Sequence, residues 1–400
     1  MPTDRSWTRV ALTLFAIGWG ANQFSALLPV YRREDGLSQT TVTAIFAAYV
    51  IGLIPALIVA ARLSGRFGHR AVLRPVVVGA IVASAILAAG AQSPAALFVG
   101  RAIYGLMMGA SMAPATTWVK ELSFDAPTGT GARRAAMSMS AGFGAGPLAS
   151  GLIAQFLPAP TVLPYAVHIA LMLVAGALVW SAPQPARPVA VPGSGTMRAR
   201  HTAWSGQFWW RIAPMAPWVF TCATVGFLVG PSFLEADLAG WELVFLGLTA
   251  ALTLGTGVLV QQPARRIEAR HPGLVTLLGM AATVVGLLCL AVVARQHLLW
   301  LTILVSVVLG AGYGLNLVGG LVRVEHTTPL GELAMTNAVF YCLTYLGFFA
   351  PTTISALSER FDPSWVLVGG AGAAVVSAVI AESARRHAAT TAAAAPAATR

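Results

Sequence analysis

About a dozen stretches of roughly twenty mostly apolar residues follow one another between Val10 and Ile380, and the positive charges fall into alternate gaps between them. A run of ~20 apolar residues crosses the ~30 Å hydrocarbon layer of a bilayer as a helix. In lipid every backbone N–H and C=O needs an internal partner, so such runs have few other options. An excess of Lys and Arg in alternate connections fixes the side each connection faces. The pattern predicts an all-α, multi-pass membrane protein with segments at about 9–31, 40–61, 71–92, 95–118, 133–157, 162–182, 209–232, 240–262, 273–294, 298–322, 333–356 and 364–383. With the amino terminus inside, only Arg32, Arg33, Arg295 and Arg360 are basic residues of outside loops, and Arg101 falls within a segment. A missed or added segment would scramble this segregation, so the charges support the count of twelve and place both termini in the cytoplasm.

Only 10% of the residues are charged, against ~25% in a soluble domain, which leaves no room for a soluble domain of ordinary size. The formal net charge of +11 is spread over many short loops with no basic stripe. That excludes nucleic acid as the partner and points to anionic lipid headgroups. Among the 25 basic residues only Lys120 is lysine, which reads as the coding bias of a GC-rich bacterium. Cys222, Cys289 and Cys342 lie inside apolar segments at spacings that match no metal site, so neither metal nor cofactor is expected. The first apolar run is too long for a cleavable signal and no small-residue cleavage site follows it.

The longest connection, 183–208, carries Pro183, Pro185, Pro188 and Pro192 and then Gly193 to Gly195. It reads as an irregular cytoplasmic linker between a six-helix bundle at 1–182 and a second at 209–384, with a disordered Ala/Thr-rich tail at 385–400. Trp204, Trp209 and Trp210 read as an interfacial belt. The halves resemble a diverged repeat. Arg66-Phe67-Gly68-His69-Arg70 follows the second segment and Arg266-Ile267-Glu268-Ala269-Arg270 the eighth, while Gly144-Ala145-Gly146-Pro147 in the fifth is echoed by Phe348-Phe349-Ala350-Pro351 in the eleventh.

Three stretches then give the chain a resemblance to the major facilitator superfamily over nearly its whole length. Ala61-Arg62-Leu63-Ser64-Gly65-Arg66-Phe67-Gly68-His69-Arg70 is similar to the family's loop motif, with Ala61 in place of a glycine and Gly65 in place of an acid. The resemblance implies that Arg66, Gly68 and Arg70 belong to a cytoplasmic gate. It also implies that the lock made elsewhere by that acid is weakened here, with Glu332 before the eleventh segment as a substitute. Arg101-Ala102-Ile103-Tyr104-Gly105-Leu106-Met107-Met108-Gly109 looks like the family's fourth-helix motif, with Tyr104 where glutamine is usual. Gly142 to Gly151, containing Gly146-Pro147, resembles the helix-five motif associated with exporters, and Gly146 and Pro147 are read as gating positions. The resemblance implies two pseudo-symmetric six-helix halves and alternating access around a central site.

An arginine at bilayer depth costs ~2.5–3.5 kcal/mol on insertion scales, so Arg101 should meet a polar cavity or partner. Other residues at mid-membrane depth complete the candidate substrate site: Asn22 and Gln23, Tyr104 and Met108, Trp218 and Phe227, Tyr313 and Asn316, and Asn337, Tyr341, Tyr345 and Phe348 along one helix face. His168 reads as structural. No Asp or Glu falls in a segment core, so protons are a candidate coupling ion without a buried carboxylate to carry them. No Gly-rich phosphate loop occurs, which excludes ATP as the driver. No catalytic constellation occurs either, so an enzyme is not expected. The reading is a monomeric transporter of the bacterial plasma membrane that exports a small amphipathic organic solute. Uptake or facilitated diffusion of a neutral, sugar-like solute is the alternative, and a transport-inactive membrane sensor is the rival from another class.

Overall fold

The computed structural model of the chain describes residues 5–90, 92–127, 129–183, 202–329 and 332–394. Within them the twelve expected segments are all helical. In chain order they are α1 (Ser6–Glu34), α2 (Gln39–Phe67), α3 (His69–Ala89), α4 (Pro94–Glu121), α5 (Thr130–Phe156), α6 (Leu163–Trp180), α7 (Gly206–Ser232), α8 (Glu242–Arg270), α9 (Leu274–Gln296), α10 (Leu299–Thr327), α11 (Met335–Ser358) and α12 (Pro363–Ala394). Among the described residues eleven are long and apolar enough to cross a membrane by themselves. The twelfth, α5, is diluted by glycine, alanine, serine, Arg133 and Arg134, yet it is an unbroken helix of 27 residues, about 40 Å long. Twelve passes return the chain to the face from which it started. We call this the terminal face and the other the opposite face.

The boundaries follow local chemistry. Ser38 and Ser93 cap α2 and α4 by accepting the N–H of Thr41 and Ala96, as N-cap serines do. Between α2 and α3 a single residue makes the turn. Gly68 adopts φ +87° and donates its N–H to the Ser64 carbonyl, a conformation that favours glycine. α12 continues to Ala394, past the end that hydropathy gave it, because the residues there are rich in alanine, the strongest helix former. The expected disordered tail is thus helical as far as it is described. Residues 184–201, which hold most of the expected linker, and 395–400 lie outside the described residues.

Packing between helices is set by small residues. A Cβ on Gly105 would sit 1.8 Å from the Tyr49 carbonyl oxygen, and one on Gly109 would sit 2.4 Å from that of Leu53. α4 therefore lies directly against the backbone of α2. α10 repeats this against α8: Cβ atoms on Gly310 and Gly314 would meet the Thr253 and Gly257 carbonyls at 2.4 and 2.2 Å. Close approach through glycines four apart is how helices associate where lipid supplies no hydrophobic drive. The same geometry in α2–α4 and α8–α10 expresses the two-fold repeat, with six helices in each half.

The halves meet along α5–α8 and α2–α11. Gly142 and Gly146 seat α5 on α1, where Cβ atoms would lie 2.1 and 2.2 Å from the carbonyls of Phe15 and Trp19. The neighbouring face of α5 meets α8. There a Cβ would be 2.3 Å from Leu243 O at Gly151, but 3.8 Å from its nearest neighbour, Ala251, at Gly144. The α5–α8 seam is tight at Gly151, near the opposite face, and looser two turns on at Gly144, the middle of α5. Three helices leave α geometry at mid-depth: α1 tightens to a 3-10 turn at Phe24–Leu27, α7 widens to a π turn at Val225–Val229, and α11 tightens at Leu346–Phe349.

Candidate functional site

These three irregular turns surround the point where the halves touch. Asn22 of α1, Tyr49 of α2, Phe143 of α5, Phe220, Thr224 and Phe227 of α7, Leu254 of α8, Tyr313 of α10, and Tyr345 and Phe348 of α11 line one enclosed cavity. Phe220 stacks on Tyr345 at 4.6 Å between ring centroids and on Tyr313 at 5.6 Å. Phe348 stacks on Phe46 at 5.3 Å and leans on Tyr49 at 5.5 Å, so aromatic contacts cross from one half to the other. Polar groups are few and uncharged. Thr224 is committed to the carbonyls of Phe220 and Gly347. Among the described residues nothing bonds the side-chain amide of Asn22 or the hydroxyls of Tyr49 and Tyr313. The cavity offers flat apolar faces and a small number of neutral hydrogen-bonding groups, which suits a planar amphipathic solute. It holds about 10 Å³, room for about one water.

Arg101 stands behind this wall. It is fully buried, donates to the Ala21 carbonyl at 2.9 Å and to the Phe46 carbonyl at 3.0 Å, and lies about 5 Å from the ring centroids of Phe24, Phe46 and Tyr49. Ala21 lies three residues before α1 tightens at Phe24, so Arg101 braces α1 just ahead of that step. In the second half Ser306 of α10 does the same, donating to Gly226 O within the π turn of α7. Both α4 and α10 brace the broken helix beside them.

The sequence-predicted residues thus separate. Asn22, Tyr313 and Tyr345 come together at the cavity, as do Phe227 and Phe348. Tyr104 is in the core of the first half, donating to Ile17 O at 3.0 Å beside His168, which bonds the Ala16 carbonyl and Ser84. Met108 is buried in that core. Gln23 is buried with neither amide atom bonded in the structure. Asn316 donates to Thr283 inside the second half. Trp218 lines a groove on the outer side of α7, α9, α11 and α12. Asn337 and Tyr341 are half-buried on α11, nearer the terminal face. The cavity residues that the sequence reading missed are Tyr49, Phe143, Phe220, Ala223, Thr224 and Leu254. The spacing of Phe220, Thr224 and Phe227 on one face of α7 was their available signal.

At the opposite face Arg32 and Arg33, at the end of α1, pair with Glu235 at 2.5 Å and Glu242 at 2.9 Å. Thr40 donates to Glu359 at 2.6 Å and Gln155 to the Gly240 carbonyl at 2.7 Å. All four contacts join one half to the other. Burial holds the Glu235 carboxyl above its usual range, and Arg32 only partly opposes this. At the terminal face Arg66 is exposed beside the Phe67 ring, while Arg70 and Arg74 donate to the Ala182 and Trp180 carbonyls and clasp the end of α6. The Glu332 carboxylate accepts from the N–H and hydroxyl of Thr202 at 2.6 and 2.7 Å. Arg70 is thus engaged within its own half, and Glu332 holds the end of the linker ahead of α7. The surroundings of Ala61 and Gly65 lie outside the described side chains.

Residues 10–352 match the family model of the Major Facilitator Superfamily. The chain belongs to this superfamily. Superfamily members with solved structures share its fold at low identity. A point mutant of the nucleoside transporter NupG aligns with a TM-score of 0.76 at 14% identity, over 95% of this chain and 100% of that one. A point mutant of a peptide transporter, POT, in complex with sulfate aligns at 0.76 and 13%, over 95% and 94%. A D-xylose-proton symporter aligns at 0.66 and 14%, over 94% and 96%. Among curated proteins the puromycin resistance protein pur8 of Streptomyces alboniger is 28% identical over 161 residues, 39% of this chain. The match spans only about a third of that relative, 32% of its length. For a superfamily member the layout has a direct reading: a solute carrier whose twelve helices surround one central cavity.

Proposed function

We propose that the protein is a secondary active exporter of small, planar, amphipathic organic solutes. It works as a monomer in the bacterial plasma membrane, with the terminal face and both termini in the cytoplasm. The observation that carries this reading is the central cavity, whose aromatic walls come from both halves and whose free polar groups are neutral. Alternating access follows from its position. In this reading the tight α5–α8 contact at Gly151 and the arginine–carboxylate pairs shut the opposite face, and solute enters from the terminal face. Asn22, Tyr49, Phe220, Tyr313, Tyr345 and Phe348 are proposed as the solute contacts. Arg66, Gly68, Arg70, Gly146, Pro147 and Glu332 are proposed as gating positions that shift between states. The helix-five motif and the likeness to a puromycin resistance protein support export, and they make puromycin the first probe.

Proton antiport is proposed as the driving mode. A second reading has an observation of its own: no carboxylate lines the cavity, which fits facilitated movement of a neutral, sugar-like or nucleoside-like solute. One assay separates the two. Purified protein in liposomes is expected to accumulate puromycin against its gradient when the lumen is acid, and to lose about three- to tenfold in apparent affinity on Tyr345→Leu, the worth of one aromatic contact. Flux that ignores the pH gradient would favour the facilitated reading. No flux for puromycin or a panel of planar solutes would remove the transporter reading and favour a sensor.

A further inference from the structure

A groove of about 430 Å³ opens on the outer side of the first half, between α2 and α3, with α4 as its floor. α2 and α3 each lie along α4 and touch one another little. Every lining residue is apolar, among them Val59, Leu63 and Phe67 of α2, Val72 and Pro75 of α3, and Met107 of α4. Val59, Leu63 and Phe67 are 50%, 42% and 51% exposed. From Pro55 to Phe67 the groove follows about 18 Å of helix. That is close to one leaflet of hydrocarbon, about 15 Å. It starts at the terminal face and ends near mid-membrane, so it has the reach of a single acyl chain and does not cross the bilayer.

Charge chooses the headgroup. The mouth lies where Phe67 and Val72 flank the one-residue turn at Gly68. Arg66 is exposed there, its guanidinium 5.3 Å from the Phe67 ring centroid, with no carboxylate partner among the described residues. The nearby Glu121 carboxylate is 3.0 Å from His69, while Arg70 and Arg74 donate to carbonyls ending α6. Arg66 is left to meet an anion at headgroup depth. A groove on the outer side of the second half, about 270 Å³, is partly lined by Thr221 and Thr353, and no cation is among its described lining residues.

We propose that this groove is a binding site for one anionic glycerophospholipid, its chain along Val59, Leu63 and Met107 and its phosphate on Arg66. The bound lipid fills the space between α2 and α3. Because α2 carries Tyr49 on its inner side, the lipid also presses on a wall of the central cavity.

The test is native mass spectrometry of the full chain in mild detergent, titrated with equal amounts of phosphatidylglycerol and phosphatidylcholine. One phosphatidylglycerol is expected to stay bound at least about fivefold more often than phosphatidylcholine, the factor for one basic residue at an anionic surface. Arg66→Ala should bring the two lipids to parity. Val59→Trp, at a lipid-exposed position that leaves the core intact, should remove both. Equal retention of the two lipids by the unmodified protein would overturn the proposal. So would phosphatidylglycerol binding that is weakened by Arg66→Ala but unchanged by Val59→Trp, since the lipid would then sit on the loop and not in the groove.

Discussion

Arg101 shows how a buried charge is accommodated by a fold that gives it no acid. Two carbonyls accept its N–H groups and three aromatic rings surround it. Hydrogen bonds to a charged group contribute about 1.5–3 kcal/mol each, and cation–π contacts about 0.5–2 kcal/mol. These offset the insertion cost without a counter-ion. The sequence announced that Arg101 needed a partner. It did not announce which, because which backbone carbonyls of neighbouring helices come within reach of α4 leaves no mark in the order of residues. Arg101→Ala is expected to lower the thermal unfolding midpoint of the purified protein by several degrees while leaving solute affinity of the folded fraction within about twofold. Arg101→Lys should recover only part of the loss, since one ammonium cannot reproduce the planar fork. A large loss of affinity with an unchanged midpoint would make Arg101 a solute contact instead.

At the level of elements, the helices were legible because their cause is the composition itself: twenty apolar residues between charged gaps form a helix in lipid whatever their neighbours do. What the chain pattern withheld was the partner of each face. Tyr49, Phe143 and Phe220 read as any buried aromatic until the packing of α2, α5 and α7 turns them to one point. Tyr104, Met108 and Asn316 share their depth but face their own half. The glycine seams are the elements' most exposed liability. Gly105→Ala and Gly310→Ala each place a methyl under 3 Å from a carbonyl oxygen. Overpacking of this kind costs about 1–3 kcal/mol. Both should lower the unfolding midpoint, whereas Gly255→Ala, which has open space around it, should not. Equal behaviour of the three variants in a melting assay would mean that the seams are looser than described.

For the whole molecule the decisive contacts are those that hold the opposite face shut. On the proposed alternating access, Glu235 would couple that closure to pH. Its carboxyl titrates above the usual range when buried against Arg32 and Arg33 beside Glu242. An acid whose pKa is raised in one state binds its proton more readily there, so acid stabilises that state as pH falls through the raised value. Lowering the pH on the opposite side is therefore expected to slow labelling of a cysteine placed at Phe227, and Glu235→Gln should abolish the pH dependence. Faster labelling in acid would reverse the sign and with it the role given to burial. The alternation of faces was legible in the charges of the loops. The pairing of Arg32 and Arg33 with Glu235 and Glu242 joins residues two hundred positions apart in the chain, and nothing local encodes it.

Solute is proposed to pass through the aromatic cavity as the halves open alternately at the two faces. The most direct measurement is puromycin flux in liposomes by a variant in which Thr40 and Glu359 are cysteines, and Cys222, Cys289 and Cys342 are serines. A bifunctional thiol reagent then ties the halves together at the opposite face. Flux is expected to fall to background when the bridge forms and to match the untreated variant when the bridge is cleaved. Full flux with the bridge intact would show that the opposite face need not open, and would contradict the account.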